Sequence, residues 1–324
     1  MAADKTSKPD KGKGTKLLKK LRKQWQLQLV ALGALVLLFL FCYMPLFGIV
    51  IAFKDYTVNM GFAGIFTSKW VGFKWFEQLF TYYQFKDIFR NTLVLSLLKL
   101  IFTFICPIIL ALLLNEMRVS GFKRVVQTVS YLPNFISWVL VYTIAMAFLS
   151  TDKGIINEVL INHGWIKSAI PFLSEPKFFY GVAVFFSVWK NSGYWAIIFL
   201  AAISGIDSQL YEAAEIDGAS RLKRLWYITL PGIKSSVVTV LILSIGGLLG
   251  GGMGGSNFEQ AYLFGNTVNY TTSEILQTYA FKTGLSQGRF AYATAVDLFQ
   301  SVISVCLVVT ANLVARKTTG EGLF

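Results

Sequence analysis

The sequence predicts an all-α membrane protein, built as a six-helix transmembrane bundle. Its 324 residues are 55% hydrophobic with a mean hydropathy of +0.57, which is more apolar than a soluble domain whose surface must face water. Long apolar segments alternate with short polar segments rich in Lys and Arg. A backbone exposed to lipid must satisfy its own hydrogen bonds, so each apolar segment is expected to be helical.

Six segments meet or approach the length of about 20 apolar residues that a membrane-spanning helix needs. They are residues 29–53, 91–114, 125–149, 178–203, 233–251 and 291–315. We predict a membrane domain over residues 29–316, a basic N-terminal tail over 1–28 and a short C-terminal tail over 317–324.

The distribution of basic residues predicts the orientation of the spans. With the N-terminus in the cytosol, 18 of the 30 Lys and Arg residues fall in inner segments and ten in outer segments. Asp and Glu residues divide evenly between the two sides. Both termini are therefore predicted to be cytosolic, as is the segment over about residues 207–232.

Several function classes are disfavoured by the composition. The formal net charge of +13 lies in the tail and in the short loops, which is typical of membrane proteins and does not indicate nucleic-acid binding. Cys42, Cys106 and Cys306 lie in apolar segments, so they predict neither a disulfide framework nor a metal site. His163 is the only histidine, so no catalytic triad with His is expected. The sequence has no phosphate-binding loop, and no catalytic residue is assigned.

The most informative pattern lies in the inner segment between the fourth and fifth spans, over residues 211–233. Its marker positions are Glu212, Ala213, Ala214, Asp217, Gly218, Ile228, Leu230 and Pro231. The first part favours a helix with a slim surface, and Gly218 provides either a positive φ or a close approach. Pro231 suits the first turn of the next span. The alternative is an ordinary amphipathic segment on the membrane surface.

This spacing strongly resembles the EAA loop in the permease subunits of binding-protein-dependent ABC importers. Further segments are similar to LplB-like carbohydrate permeases: FKDY, RNTL, PIILALLLNE, FKRVVQTVSYLPNFISW and NFEQAYLF. The resemblance implies the type I ABC importer permease fold, with the loop forming a coupling helix that docks on an ATP-hydrolysing subunit. It also implies a multi-pass protein of the bacterial inner membrane.

The implied function is import of an oligosaccharide or polysaccharide fragment, and the chain itself is not an enzyme. The implied partners are a second homologous permease, two ATP-binding subunits that hold ATP and Mg, an extracytoplasmic solute-binding protein, membrane lipid and the carbohydrate, with no nucleic acid. The alternatives are an importer for a non-sugar solute, such as an amino acid or polyamine, and an ion-coupled carrier. A carrier of that class would show inverted repeats, which the sequence lacks.

Polar side chains at membrane depth are the candidates for lining a substrate pathway. In the fourth span these are Trp189, Lys190, Asn191, Tyr194 and Trp195, and Asn134 lies in the third span. Rings and hydrogen-bonding groups together suit a sugar, whereas helix–helix hydrogen bonding is the structural alternative.

Other unusual positions have two interpretations each. Asn257, Glu259 and Gln260 are expected either to meet delivered substrate or to form a solvated loop. Asp297 is expected to pair with Lys190 or Lys99, or else to contact substrate. The Gly-rich residues 246–255 predict either an unwound helix or close helix packing.

Overall fold

The computed structural model describes residues 23–320 and residue 322, so most of the predicted N-terminal tail lies outside the described residues. Over the described part the protein is helical, and the one β element there is an isolated bridge between Lys54 and Trp70. The first helices in chain order are α1 (Trp25–Leu38, continued by a π-helical turn Phe39–Tyr43 and a 3₁₀ helix Met44–Phe53), α2 (Gly64–Thr67), α3 (Lys74–Thr81), α4 (Phe85–Glu116), α5 (Ser120–Tyr131), α6 (Trp138–Leu149) and α7 (Ile155–Asn162). They are followed by α8 (Pro176–Ser204), α9 (Ser208–Ile216), α10 (Arg221–Arg224, continued by a π-helical turn Leu225–Thr229 and a last turn Leu230–Gly232) and α11 (Lys234–Gly246). The last helices are α12 (Asn257–Phe264), α13 (Tyr270–Ser273), α14 (Leu276–Phe281, continued by a π-helical turn Lys282–Ser286) and α15 (Phe290–Thr319).

Three of these helices are long and apolar enough to cross a membrane without interruption: α1 with its continuation, α4 and α15. Three further helix pairs are together long and apolar enough to cross a membrane, but each pair bends sharply at a short break. The described residues therefore provide three to six spans, depending on whether each bent pair is counted as one. This agrees with an all-α membrane bundle.

The span predicted over residues 125–149, with a kink expected at Pro133, is divided into two helices, because α5 and α6 meet at an angle of 106°. A 3₁₀ turn, Leu132–Phe135, contains Pro133, and Ile136 and Ser137 then adopt extended backbone. Proline lacks the amide hydrogen that would continue the helix. The Ser137 hydroxyl accepts a hydrogen bond from the Leu140 amide at 3.3 Å and so caps α6.

The predicted end of the fifth span at residue 251 is wrong, because α11 ends at Gly246. Two 3₁₀ turns follow, and Gly251 between them has a φ of +115°, a conformation that favours glycine. Close packing occurs in the same segment: a Cβ atom on Gly254 would lie 2.6 Å from Cε of Lys99. Both interpretations of the Gly-rich segment are therefore confirmed.

The core of the bundle forms where α4 packs along α8. Their contact buries Ala111 and Leu114 of α4 against Ala196 and Phe199 of α8. The small side chains of Ala111 and Ala196 let the two helices approach closely. The pair forms a frame that positions the broken helices.

Two buried lysines of this frame bond to backbone carbonyls at the helix breaks. Nζ of Lys190 on α8 donates to the carbonyl of Asn134 at 2.6 Å and to that of Pro133 at 3.4 Å. Nζ of Lys99 on α4 donates to the carbonyl of Gly255 at 3.1 Å. The predicted pairing of Asp297 with either lysine is wrong. Its carboxylate is exposed on α15, in no ion pair among the described residues.

We expect Lys190→Met to destabilise the protein, because it leaves the carbonyl of Asn134 without its donor, whereas the carbonyl of Pro133 keeps the Ile136 amide at 3.2 Å. An unsatisfied buried polar group costs about 1–3 kcal/mol, so the purified protein should unfold at a measurably lower temperature. The control is Lys74→Met, which removes an exposed lysine 3.8 Å from Asp55. Equal unfolding temperatures for the two variants would contradict this role for Lys190.

Candidate functional site

The segment around α9 is set apart from the bundle by two bends. The chain turns by 70° between α8 and α9 and by 59° between α10 and α11. At the first bend, the Asp207 side chain accepts a hydrogen bond from the Gln209 amide at 3.0 Å and caps α9. The result is a short helix that lies across the directions of the neighbouring spans, the geometry expected of a coupling helix.

Gly218 ends this helix in a left-handed turn. Its φ is +71°. Its amide donates to the carbonyl of Glu215 at 3.1 Å, and the Ala219 amide donates to that of Ala214 at 2.8 Å. This pair of bonds is the Schellman motif, which requires a positive φ at the position after the helix cap. No described atom of this chain lies within 4 Å of a Cβ built on Gly218, so within the chain its role is backbone conformation and not close approach.

The two arms of the loop, α9 and α10, are joined by side chains. The hydroxyl groups of Tyr211 and Thr229 lie 3.0 Å apart, and Arg224 Nη1 lies 3.1 Å from Glu215 Oε2. Ser220 caps α10 by accepting from the Lys223 amide at 3.4 Å. The loop is therefore a preformed unit and not a loose connection.

Most of the predicted coupling residues face outward. Glu212, Ala213, Asp217, Gly218 and Pro231 are exposed. The other three are half-buried: Ala214, Ile228 and Leu230.

The same surface carries large apolar side chains that the pattern did not single out. Ile216, Leu222, Trp226 and Tyr227 are all exposed. Leu222, Trp226 and Tyr227 line one shallow cavity, so these three form a contiguous apolar surface of the kind that marks an interaction site. Its sequence signal is the presence of four large apolar residues in a polar, basic inner segment.

The predicted pathway residues of α8 divide into two groups. Lys190 and Asn191 are buried; Asn191 accepts a hydrogen bond from Asn134 Nδ2 at 3.1 Å and donates to the carbonyl of Ser187 at 2.9 Å. Trp195 Nε1 donates to the carbonyl of Met253 at 3.1 Å. These side chains tie α8 to the two helix breaks.

Trp189 and Tyr194 form the second group, with exposed fractions of 37% and 43%. Their rings lie on the outside of the single chain and are available to a partner or to a cargo. Trp189 also lines a largely apolar cavity of about 600 Å³ with Phe185 and Phe186.

The third predicted group lies on α12, and two of its three residues are inside the protein. Asn257 is fully buried and donates to Ser96 Oγ at 2.9 Å. Gln260 is fully buried and donates to the carbonyl of Ala183 at 2.6 Å. Glu259 is exposed. The amides thus hold α12 against α4 and α8, and Glu259 alone remains available.

The coupling loop and the bent spans agree with the family to which the sequence points. Residues 103–320 match the family described as the binding-protein-dependent transport system inner membrane component. The chain belongs to this family. It is a permease subunit and a multi-pass protein of the inner membrane, and permeases of this family are not themselves catalytic.

The permease is similar to two proteins of Bacillus subtilis over almost its whole length. It is 45% identical over 314 residues to the polygalacturonan/rhamnogalacturonan transport system permease protein YteP of Bacillus subtilis (strain 168), covering 97% of this chain and 95% of YteP. It is 42% identical over 313 residues to protein LplB of the same organism, with the same coverage. The predicted resemblance to LplB-like permeases is confirmed.

A solved structure supports the fold. A chain of a bacterial alginate ABC transporter, crystallised with its alginate pentasaccharide-bound periplasmic protein, aligns with a TM-score of 0.82 at 34% identity. The alignment covers 95% of this permease and 99% of that chain. The predicted type I importer permease class is therefore confirmed.

We expect substitutions of Gly218 to impair coupling according to how well each residue tolerates a positive φ. Asn visits this region more readily than Ala or Val, for which a left-handed conformation costs about 1–2 kcal/mol. In the assembled transporter, substrate-stimulated ATP hydrolysis should fall in the order Gly218, Gly218→Asn, Gly218→Ala, Gly218→Val. Because nothing crowds Gly218, normal hydrolysis by Gly218→Val would rule out the conformational role.

Proposed function

We propose that this permease forms one half of the membrane pathway of an ATP-driven importer for an oligosaccharide or polysaccharide fragment. The observation that carries the proposal is the preformed coupling helix α9, directly continuous with the span α8 that bears Trp189 and Tyr194. The names of YteP and of the alginate transporter favour a carbohydrate over an amino acid or polyamine. An ion-coupled carrier would have no use for an exposed docking helix.

The proposed assembly supplies what this chain lacks. A second homologous permease completes the pathway, and two ATP-binding subunits bind ATP and Mg and dock on the coupling helices. An extracytoplasmic solute-binding protein delivers the sugar. In this assembly the exposed side chains of Ile216, Leu222, Trp226 and Tyr227 meet the ATP-binding subunit.

The mechanism we propose is alternating access. Closure of the ATP-binding subunits moves α9, and the caps and cross-links of the loop transmit that movement to α8 and α11 as a unit. The two permeases then rock so that the pathway opens toward the binding protein. Hydrolysis returns it to the inward-facing state.

We place both termini and the coupling helix in the cytosol. The excess of Lys and Arg in the inner segments supports this orientation. The segment that contains α12, α13 and α14 then lies at the outer side, where substrate arrives.

The substrate pathway we propose is narrower than the sequence suggested. Trp189, Tyr194 and Glu259 are the side chains free to contact a sugar, while Lys190, Asn191 and Asn134 position α8 against the helix break. Trp195, Asn257 and Gln260 hold neighbouring helices. A sugar ring stacks on the aromatic faces, and its hydroxyl groups bond to the Tyr hydroxyl and the carboxylate.

The orientation can be tested with single cysteines at two exposed positions, Ser220 in the coupling loop and Thr267 after α12. We expect a membrane-impermeant maleimide to label Thr267→Cys in intact cells and Ser220→Cys only after permeabilisation. The unsubstituted protein measures the background from its three cysteines. The reverse pattern would place the termini outside.

The pathway can be tested with Trp189→Ala and Tyr194→Phe in the reconstituted importer. Loss of a stacking ring should cost about 0.5–1.5 kcal/mol, so Trp189→Ala should lower uptake of one saccharide relative to another by about two- to tenfold. Tyr194→Phe keeps the ring and should change selectivity only through the lost hydroxyl group.

The matched control is Phe102→Ala, which removes an exposed ring from α4. It should leave the ratio of uptake between two saccharides unchanged. Assembly and basal ATP hydrolysis are measured for every variant. Equal losses of uptake for all saccharides, together with poor assembly, would show that Trp189 serves helix packing and not the pathway.

A further inference from the structure

A cavity with polar side chains in its lining lies between α12, α13 and the π-helical turn after α14, in the segment that joins the fifth and sixth spans. Its volume is about 210 Å³. Its polar and aromatic lining side chains are Tyr262, Asn266, Thr267, Tyr270, Ser273, Glu274 and Lys282. None of them belongs to the coupling loop or to the pathway side chains of α8.

Glu274 is the unusual group in this cavity, because it is a carboxylate with an exposed fraction of only 2%. Oε2 lies 2.5 Å from Nζ of Lys282. Oε1 is buried and has no hydrogen-bond partner among the described residues. A buried carboxylate oxygen without a donor is costly, so a ligand that brings a donor would be stabilised there.

The position of Glu274 is fixed by its backbone. Asn91 on α4 donates from Nδ2 to the carbonyls of Thr271 and Glu274, at 2.8 and 3.1 Å. Tyr180 on α8 in turn donates to Asn91 Oδ1 at 2.8 Å. The cavity is therefore built on the rigid pair α4 and α8, whereas the terminal torsion of a Glu side chain is broad and lets the carboxylate turn toward the cavity.

The charges in the cavity determine whether a cation or a neutral group can donate a hydrogen bond to Glu274. Lys282 already neutralises Glu274, and its Nζ also lies 5.3 Å from the centroid of the Tyr270 ring. A second cation would meet Lys282 at close range. A neutral hydroxyl group avoids this repulsion, donating to Glu274 and accepting from Lys282.

The tyrosines complete a site for a hydroxylated ring. Burial, with the neighbouring Glu274 carboxylate, raises the pKa of Tyr270 to about 12, so this side chain remains neutral. Tyr262 is half-exposed at the cavity. Aromatic faces beside paired hydrogen-bonding groups are the usual surroundings of a bound sugar ring.

We propose that this cavity, with Glu274, Lys282, Tyr262 and Tyr270, is a subsite for one pyranose ring of the transported saccharide, separate from the side chains of α8. This inference rests on the proposed function. The subsite lies in the segment that precedes the last span and holds the ring through neutral hydroxyl groups. It provides a first contact on the permease for a chain longer than one sugar.

The test uses Thr267→Cys, because Thr267 is exposed at the cavity and takes no part in the Glu274–Lys282 pair. The assembled transporter is placed in nanodiscs without binding protein, and maleimide labelling of residue 267 is followed by mass spectrometry. The probe is the oligosaccharide that the reconstituted importer takes up from a panel of galacturonate, alginate and glucose oligomers. At ten times its dissociation constant it should slow labelling about tenfold.

Two double variants identify the groups responsible. Thr267→Cys with Glu274→Gln should lose the protection while labelling at the same rate without saccharide. Thr267→Cys with Glu175→Gln should keep it, because Glu175 also pairs with a lysine, Lys177 at 2.6 Å, but lies outside the cavity. Protection that survives Glu274→Gln would overturn the assignment.

The remaining outcomes also decide. An unchanged labelling rate in a transporter that imports the probe would show that the cavity holds only water, and would overturn the subsite while leaving the proposed function intact. Protection by sugar-free binding protein but not by saccharide would show a protein contact instead. Import of no member of the panel would count against the proposed function and against the subsite that depends on it.

Discussion

The fold depends on satisfying backbone carbonyls at two helix breaks inside the membrane. Lipid offers no hydrogen bonds, so irregular backbone at this depth must find partners within the protein. Lys190 donates to the carbonyls of Pro133 and Asn134 at the break between α5 and α6. Lys99 donates to the carbonyl of Gly255 in the turns after α11. This explains why neither lysine pairs with a carboxylate among the described residues.

The two breaks are also linked to each other through Trp138. Nζ of Lys99 lies 5.8 Å and Nζ of Lys190 5.9 Å from the centroid of its ring. Trp138 is buried at the first residue of α6, so the start of that helix is held between α4 and α8. A movement of α8 is thereby felt at both breaks, and α8 continues through a capped bend into α9. Under the proposed function, the coupling helix, the rings of Trp189 and Tyr194 and the two helix breaks are therefore all connected through α8.

Sequence reasoning identified the elements of this arrangement better than their connections. Apolar segment length located the spans, and the spacing around Gly218 predicted a turn that the Schellman bonds now explain. Pro133 and the Gly-rich residues indicated irregular backbone, but not that α5 and α6 would meet at 106°. An angle of this kind depends on tertiary partners, such as Lys190, that are distant in sequence.

The candidate site shows the same limit. The sequence marks Asn134, Lys190 and Asn191 as unusual at membrane depth, and Asn257 and Gln260 as candidates to meet substrate in an outer segment. Polarity alone cannot separate side chains that contact substrate from those that satisfy a neighbouring helix. The hydrogen bonds decide: each of these five has partners inside the chain. Nothing in the sequence indicated that Glu274 is buried, since a Glu in a polar outer segment is ordinarily solvated. Its burial arises from the packing of α13 and α14 on α4.

The small number of free side chains bears on how the importer can be selective. Stacking contributes about 0.5–1.5 kcal/mol per ring beyond area burial, whereas even millimolar affinity requires about 4 kcal/mol. The two rings and one carboxylate of the proposed α8 pathway would therefore hold a sugar only weakly. Weak retention suits transport, because tight binding on the pathway would slow release into the cytosol. Strong discrimination between saccharides must then occur before the pathway, in the binding protein. The permease needs only enough contact to keep the saccharide in the pathway while the two permeases change conformation.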